Sequence, residues 1–406
     1  VRRALDLLRR EPDFRRTFLS SLVSGGGDWF ALIPLLALLH TLTGGGLVGG
    51  LVLASDTAVF ALLSPYAGTV ADRVDRRVLI VACEGVSAGL VLLLLLVRTP
   101  GTVWVAIVAI GGVAGAKAFT QPASSAAQPS LVGPDDLALA NVLNGSAWGS
   151  MLAVGAAMGG VAAAAFGPST CFVLDAVSFV MSALLVARCR TPFQRSREAQ
   201  EHAGFRADVA EAVRYARSQP RVLALLFAKP GVGLANGALV LFPLISDGVF
   251  HAGALGLGLL YAARGLGAFT GPLVLARRER PLGLLAASIG ACGLLYVGVG
   301  LAPAFWVVLL LVTAAHVGGG ANWTVSSYGL QKVVPDAVLG RISSADYMLV
   351  TLVIAVSQAL SGVLSETVPT RLLTSAFGAA AVVYALGWLL ATRSLRRNPA
   401  LAPAGA

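Results

Sequence analysis

The stretch GTVADRVDRR, Gly68–Arg77, gathers Asp72, Arg73, Asp75, Arg76 and Arg77 into ten residues of a chain that is only 12% charged. It is preceded by GLVGGLVLASDTAVFALLSPYA (46–67) and followed by VLIVACEGVSAGLVLLLLLV (78–97). Each flank is about 20 residues of nearly uninterrupted apolar sequence, the length a helix needs to cross a hydrocarbon layer of ~30 Å. The three pieces together read as two membrane spans joined by a short, charged turn.

The same alternation runs from end to end. The chain has 406 residues, 56% of them hydrophobic, with a mean hydropathy of +0.80, whereas a soluble chain of this length shows about 25% charged residues. Twelve spans are expected, at 17–41, 47–70, 78–98, 102–126, 137–165, 168–188, 221–245, 253–276, 282–302, 304–330, 341–365 and 371–392. The fold class is therefore an all-α integral membrane protein with twelve transmembrane helices in two six-helix halves. The divisions are 1–190 for the first half, 191–220 for a cytoplasmic linker, 221–395 for the second half and 396–406 for a tail. Within the linker, FRADVAEAVRYARSQP (205–220) places Phe205, Val209, Ala212, Val213 and Ala216 on one helical face, an amphipathic helix lying on the membrane surface. The first apolar run is long and follows a basic leader, so no cleavable signal peptide is expected.

The net charge is +10, and its placement decides its meaning. Twenty-five of the 30 Lys and Arg residues fall on alternate connections: the leader, the Gly68–Arg77 turn, 188–221, 277–280, Lys332 with Arg341, and 393–397. The opposite connections hold Arg98 and Arg371. Such asymmetry is the positive-inside pattern, and it puts both termini in the cytoplasm. No basic patch is interleaved with aromatics, so nucleic acid is not the partner of this charge. The partners expected instead are the lipid bilayer, a small-molecule substrate and protons, with the chain acting as a monomer.

The two halves echo one another. SSAAQPSLVGPDD (124–136) follows the fourth span and SSYGLQKVVPDAV (326–338) follows the tenth. With one gap they share a serine pair, a glutamine, an apolar residue and a Pro-Asp before the next helix, where Asp135 and Asp336 are expected to cap exposed N–H groups. Six spans per repeat is an even number, so the repeats face the same side of the membrane and are parallel.

On these residues the chain resembles the major facilitator superfamily. GTVADRVDRR matches its signature Gly-x-x-x-Asp-Arg-x-x-Arg-Arg/Lys between the second and third helices. Other stretches are similar to its drug-exporter branch, which includes macrolide and enterobactin efflux proteins. They are FRRTFLSSLVSGGGDW (14–29), NVLNGSAWGSMLAVGAAMGGVAAAAFG (141–167), DAVSFVMSALL (175–185) and PDAVLGRI (335–342). The sequence departs from that pattern twice. Antiporters of the superfamily often carry Gly-Pro-x-x-Gly-Gly in the fifth helix, where this chain has Gly155-Ala156-Ala157-Met158-Gly159-Gly160. The arginine many members carry midway along the fourth helix has no counterpart near Ala109, the nearest base being Lys117.

The resemblance implies a secondary transporter in the bacterial plasma membrane, exporting small amphiphilic compounds by alternating access with proton entry. An importer, a uniporter, a lipid flippase, or a receptor that kept the fold without transport are the other readings. It also implies a role for the opening stretch. Asp72 ends the second helix, where the helix dipole disfavours a carboxylate. Arg73, Arg76, Arg77, or the start of the eleventh helix near Arg341, would offset it in a cytoplasmic gate, with Gly68 permitting close approach.

Ionisable groups inside spans are costly, ~2.5–3.5 kcal/mol each on insertion scales, and commonly functional. Asp28 lies ~16 Å into the first span at 1.5 Å per residue, and Asp56 lies at similar depth in the second; these two are the proton-coupling candidates. Glu84, Lys117, Asp175, Lys229 and Arg264 are the further cavity charges. Either they titrate in a cavity, or they form fixed pairs that pin the helices. The motif AKPG (228–231) and the glycines of SGGGDW (24–29) mark expected bends. Trp29, Phe30, Asn144, Trp148, Asn236, Asn322 and Trp323 are candidate cavity-lining residues. No enzyme constellation is present: there is no phosphate-binding loop, and His40, His202, His251 and His316 lack triad or ligand spacing. Cys83, Cys171, Cys189 and Cys292 form no paired spacing, so neither a metal nor a cofactor is expected.

Overall fold

A computed structural model describes residues 2–193, 213–275 and 281–397. The amphipathic face expected from Phe205, Val209 and Ala212 lies outside the described residues; residues 213–218 are helical, with Ala216 buried and Val213 exposed.

A short helix α1 (Arg2–Arg10) leads into α2 (Pro12–Thr43), α3 (Leu47–Arg73), α4 (Arg76–Leu93), α5 (Trp104–Leu131), α6 (Leu137–Phe166) and α7 (Pro168–Ala187). After residue 220 come α8 (Pro220–Leu226), α9 (Lys229–Ala235), a 3-10 segment (Asn236–Leu241) and a π turn (Leu244–Val249). There follow α10 (Gly253–Leu275), α11 (Pro281–Leu301), α12 (Phe305–Val333), α13 (Asp336–Leu364), α14 (Thr370–Ala391) and α15 (Arg393–Arg397). Among the described residues twelve segments are long and apolar enough to cross a membrane, the first at Pro12–Thr43 and the last at Thr370–Ala391. The described residues contain no strand, and each spanning helix satisfies its backbone polar groups within itself, as a hydrocarbon layer requires.

Helix ends follow local chemistry. Asp75, inside the charged stretch, caps α4 by accepting from the N–H groups of Arg77 at 2.9 Å and Val78 at 3.1 Å. Helix α2 stops at Gly44, whose φ of 71° a side chain would strain, and whose N–H returns to the His40 carbonyl. The two echoed stretches sit at matching places, α5 into α6 and α12 into α13. The cap expected of Asp135 differs from the structure. Residues Pro134–Asp136 form a 3-10 turn that already orders the start of α6, so its N-cap is Asp136, which makes no side-chain cap bond and instead pairs with Arg10 at 3.2 Å. Helix α13 likewise starts without a side-chain cap, at Pro335; the Asp336 side chain is outside the described residues.

The two expected bends also part company. Helix α2 runs unbroken through Gly25, Gly26 and Gly27, because glycine keeps its N–H and the ladder survives. The seventh span is broken at Phe227 and Ala228, between α8 and α9, because Pro230 has no N–H to give the carbonyl four residues back. Two side chains of α14 take up carbonyls at the break: the Tyr384 hydroxyl donates to Phe227 at 2.7 Å and the Trp388 indole N–H to Ala224 at 3.1 Å.

The chain forms two compact units. The first comprises residues 1–44, 55–201 and 252–262, the second residues 45–54, 202–251 and 263–406. One end of the first unit is filled by Leu7, Phe14, Ile80, Leu131, Val186 and Phe193. The second is packed around Val222, Leu225, Leu285, Leu330, Ile342 and Trp388. Glycine lets helices touch backbone to backbone: a Cβ on Gly320 of α12 would lie 2.4 Å from the Ala268 carbonyl of α10.

Candidate functional site

In the first unit the intramembrane charges converge on one cation. Lys117, from α5, forms an ion pair with Asp28 of α2. The same ammonium lies 5.9 Å from the centre of the Phe179 ring and interacts electrostatically with Asp56 of α3 and Asp175 of α7. Glu84 of α4 feels both Asp28 and Lys117. Among the described residues Lys117 is thus ion-paired with Asp28 and lies within electrostatic reach of Asp56, Asp175 and Glu84.

Small residues make this convergence possible. Gly27 lies so close to α7 that a Cβ there would be 2.4 Å from Asp175 Oδ1 and 2.2 Å from Ser178 Oγ. Ser178 donates to Asp175 Oδ1 at 3.1 Å, Ser24 donates to Glu84 Oε1 at 3.4 Å, and the Ser20 and Ser182 hydroxyls share a hydrogen bond of 2.6 Å. Glu84 and Asp175 are buried, whereas the Lys117 and Asp28 side chains retain 31% and 19% of their accessible surface. The half-buried Asp28–Lys117 pair and Asp56 are the more accessible part of the cluster, and Glu84 and Asp175 lie buried behind them. An apolar groove of about 430 Å³ lies beside it, between α2, α6 and α7, with Gly26, Gly27, Met151, Gly155 and Ser178 in its wall.

In the second unit Lys229, the first residue of α9, is buried and paired with Asp346 of α13. It also donates to Ser327 Oγ at 2.9 Å and lies 5.1 Å from the Trp323 ring. The sequence reading named Lys229 but missed Asp346. The signal was present, an acid inside an apolar run, five residues into the span expected at 341–365. The field of Arg264, on α10, falls on His316 of α12, which shares a 2.9 Å hydrogen bond with the Tyr296 hydroxyl.

The charged turn uses its arginines locally. Arg76 donates to the carbonyls of Ala71, Ala126 and Phe193 at 3.3, 2.8 and 3.3 Å. Arg77 donates to the Thr191 carbonyl at 2.7 Å and stacks over Phe193 at 5.3 Å. They fasten the turn to α5 and to the exit of α7. Arg73 is exposed and Arg341 half-buried in the first turns of α13; Gly68 and the Asp72 side chain are outside the described residues, although both positions are helical.

A family model described as transmembrane secretion effector matches residues 7–401. Among curated proteins the chain is similar to the enterobactin exporter EntS of Citrobacter koseri, with 29% identity over 99% of this chain and 97% of that protein. It is also similar to the uncharacterised MFS-type transporter YkuC of Bacillus subtilis, with 24% identity over 68% of this chain and 67% of that one. Among solved structures, a bacterial homologue of the human lysosomal transporter Spinster, inward-facing and occupied, superposes with a TM-score of 0.72 at 15% identity, covering 96% of this chain and 98% of that one. A POT family transporter in complex with a thioalcohol-conjugated peptide reaches 0.76 at 11% identity, covering 94% and 96%. At such identities these structures establish the fold, that of major facilitator transporters, and leave the substrate open.

Proposed function

As the chain belongs to the transmembrane secretion effector family, and is a multi-pass membrane transporter of the major facilitator type, we propose that it exports small amphiphilic compounds by alternating access, driven by proton entry. The observation that carries this reading is the sharing of Lys117 by Asp28, Asp56, Asp175 and Glu84. One ammonium balances one carboxylate. Leaving the others charged inside a membrane is costly, and protons are the counter-charges that every aqueous compartment supplies. A proton arriving at Asp28 competes directly with Lys117 for the same oxygen, which links proton binding to a movement between α2 and α5.

The outward direction is supported by the likeness to a protein named as an enterobactin exporter, and the substrate class by the apolar groove beside the charges. Both termini face the cytoplasm in this proposal, on the strength of the basic connections. Residues 1–190 and 221–395 are its moving halves, and the Gly68–Arg77 turn with Asp72 serves its cytoplasmic gate.

The test is a growth-inhibition panel of antibiotics, dyes and chelators in an efflux-deficient bacterial host, comparing the wild type with Asp28→Asn and Asp72→Asn at matched membrane expression. Resistance to a compound, lost in both variants, is the expected result. Resistance that survives Asp28→Asn removes the proton role of that residue. No protection against any compound, at good expression, overturns export.

A further inference from the structure

The Lys229–Asp346 pair is built differently from the Asp28–Lys117 pair. Asp346 is 4% exposed, and only one of its oxygens is used. Its Oδ1 is buried with no hydrogen-bond partner among the described groups. A pair serving only to neutralise charge is stable when the remaining lone pairs are satisfied, because a bare buried acceptor carries an unrecovered desolvation cost. Here that cost is concentrated on one carboxylate oxygen beside a break in the span.

The surroundings of Lys229 supply the complementary feature. Its ammonium already has two further partners, Ser327 Oγ at 2.9 Å and the Trp323 ring at 5.1 Å. On losing the Asp346 charge the lysine would keep these two polar contacts, although no counter-charge. Helix α13 packs against α9, α12 and the 3-10 segment, and against the start of α3 where Gly50 meets Gly362. Among the described residues the one charged group acting on Asp346 from any of them is Lys229; α12 contributes Ser327 and Trp323, the 3-10 segment Asn236–Leu241 contributes nothing ionisable, and Tyr347 neighbours Asp346 on its own helix.

We propose that Asp346 is a second proton-binding site of the transporter, in the C-terminal half, which takes up one proton at Oδ1 and releases Lys229 to Ser327 and Trp323. The step adds one proton and one positive charge to the site, breaks the Lys229–Asp346 ion pair and forms no covalent bond other than O–H. It is independent of the direction of transport and of any role of Asp28.

Trp323 is the built-in reporter, since the lysine beside its ring moves when the pair opens. The experiment is a pH titration, from 5 to 9, of the intrinsic fluorescence of the purified full chain in lipid nanodiscs, without substrate. A titration step is expected that disappears in Trp323→Phe and in Asp346→Asn, and whose midpoint moves by about one pH unit or more in Lys229→Gln. Superimposable curves for the wild type and Asp346→Asn overturn the proposal. If Asp346→Asn fails to fold, Lys229→Gln/Asp346→Asn, which removes both charges together, takes its place; a Trp323 step persisting there is equally fatal, as is a wild-type curve unchanged by Trp323→Phe.

Discussion

Asp13 and Thr191 are joined twice: Asp13 Oδ2 accepts from the Thr191 backbone N–H at 2.7 Å and from its hydroxyl at 2.8 Å. The same oxygen takes the N–H of Arg190 at 2.8 Å. A carboxylate in the first turn of α2 therefore closes the exit of α7, and the Cys189 thiol lies beneath it, 3.8 Å from the Asp13 carbonyl. Burial, reinforced by the Asp13 charge, pushes that thiol up to about 11.

This clamp gives a prediction with a pH sign. Since thiolate is the reactive form, Cys189 in the native protein is expected to resist maleimide at pH 7 and to react faster as pH climbs toward 11. Asp13→Ala removes charge-assisted hydrogen bonds worth about 1.5–3 kcal/mol each at most, and should lower the melting temperature and unmask Cys189. Thr191→Val, which deletes one hydroxyl bond, should do so by about 1 kcal/mol. Equal labelling of Cys189 in all three proteins, read by mass spectrometry, would mean that the clamp does not hold this end shut.

The Asp28–Lys117 pair predicts an asymmetry between single and double substitution. Lys117→Gln leaves Asp28 without its cation among three other carboxyls, and because the pair is partly exposed the cost is on the order of 2 kcal/mol, below that of a fully buried pair. Asp28→Asn/Lys117→Gln should recover most of that thermal stability but no transport. Recovery of both together, in melting and resistance assays, would reduce the pair to a packing device.

The difference between what could and could not be read in advance lies in these same residues. Span number, the charged turn and the duplicated loops were legible because each is a local property: hydropathy over about 20 residues, a motif of ten, a repeat of thirteen. Asp28, Asp56, Glu84, Lys117 and Asp175 were each visible as charges in apolar runs. Their sharing of one lysine was not, because it depends on which faces of α2, α3, α4, α5 and α7 turn inward. The low amphipathicity of membrane helices, apolar on nearly every side, hides that rotation. Asp346 escaped for a related reason: its partner is 117 residues away, and nothing near it in sequence announces a pair. The bend in the seventh span was legible, being written in Pro230, whereas the glycines of α2 proved to mark close approach.

Close approach predicts its own mutant. Gly160 of α6 and Gly258 in the first part of α10 meet backbone to backbone, so that a Cβ on Gly160 would stand 2.9 Å from both the Ala254 carbonyl and Gly258 Cα. Neither neighbour is a flexible side chain that could yield. Gly160→Ala should cost about 1–3 kcal/mol, as overpacking does, and Gly160→Val more, whereas Gly89→Ala, where nothing lies within 4 Å, should stabilise α4 by up to about 1 kcal/mol. Thermal melts of the three variants in detergent decide it; indifference to Gly160→Val would mean that the helices separate freely there.

The break in the seventh span predicts a trade between continuity and function. Lys229 directly precedes Pro230, and its direction is set by the interruption at Phe227 and Ala228. Pro230→Ala restores an N–H that can reach the Leu226 carbonyl, so α8 and α9 can join. In a continuous helix each residue turns the chain by about 100°, and the Lys229 ammonium would swing away from Asp346 and Ser327. Separating a buried ion pair costs more than one regained backbone hydrogen bond returns, so the variant is expected to melt below the wild type and to transport about tenfold more slowly, equivalent to about 1.4 kcal/mol. Pro230→Gly, which supplies the N–H but opposes helix continuity by about 1 kcal/mol relative to alanine, should fall between them. A Pro230→Ala protein that transports at the wild-type rate would show that the break is a packing accommodation for Tyr384 and Trp388, whose donors fill the carbonyls of Phe227 and Ala224, and that the direction of Lys229 does not govern the cycle.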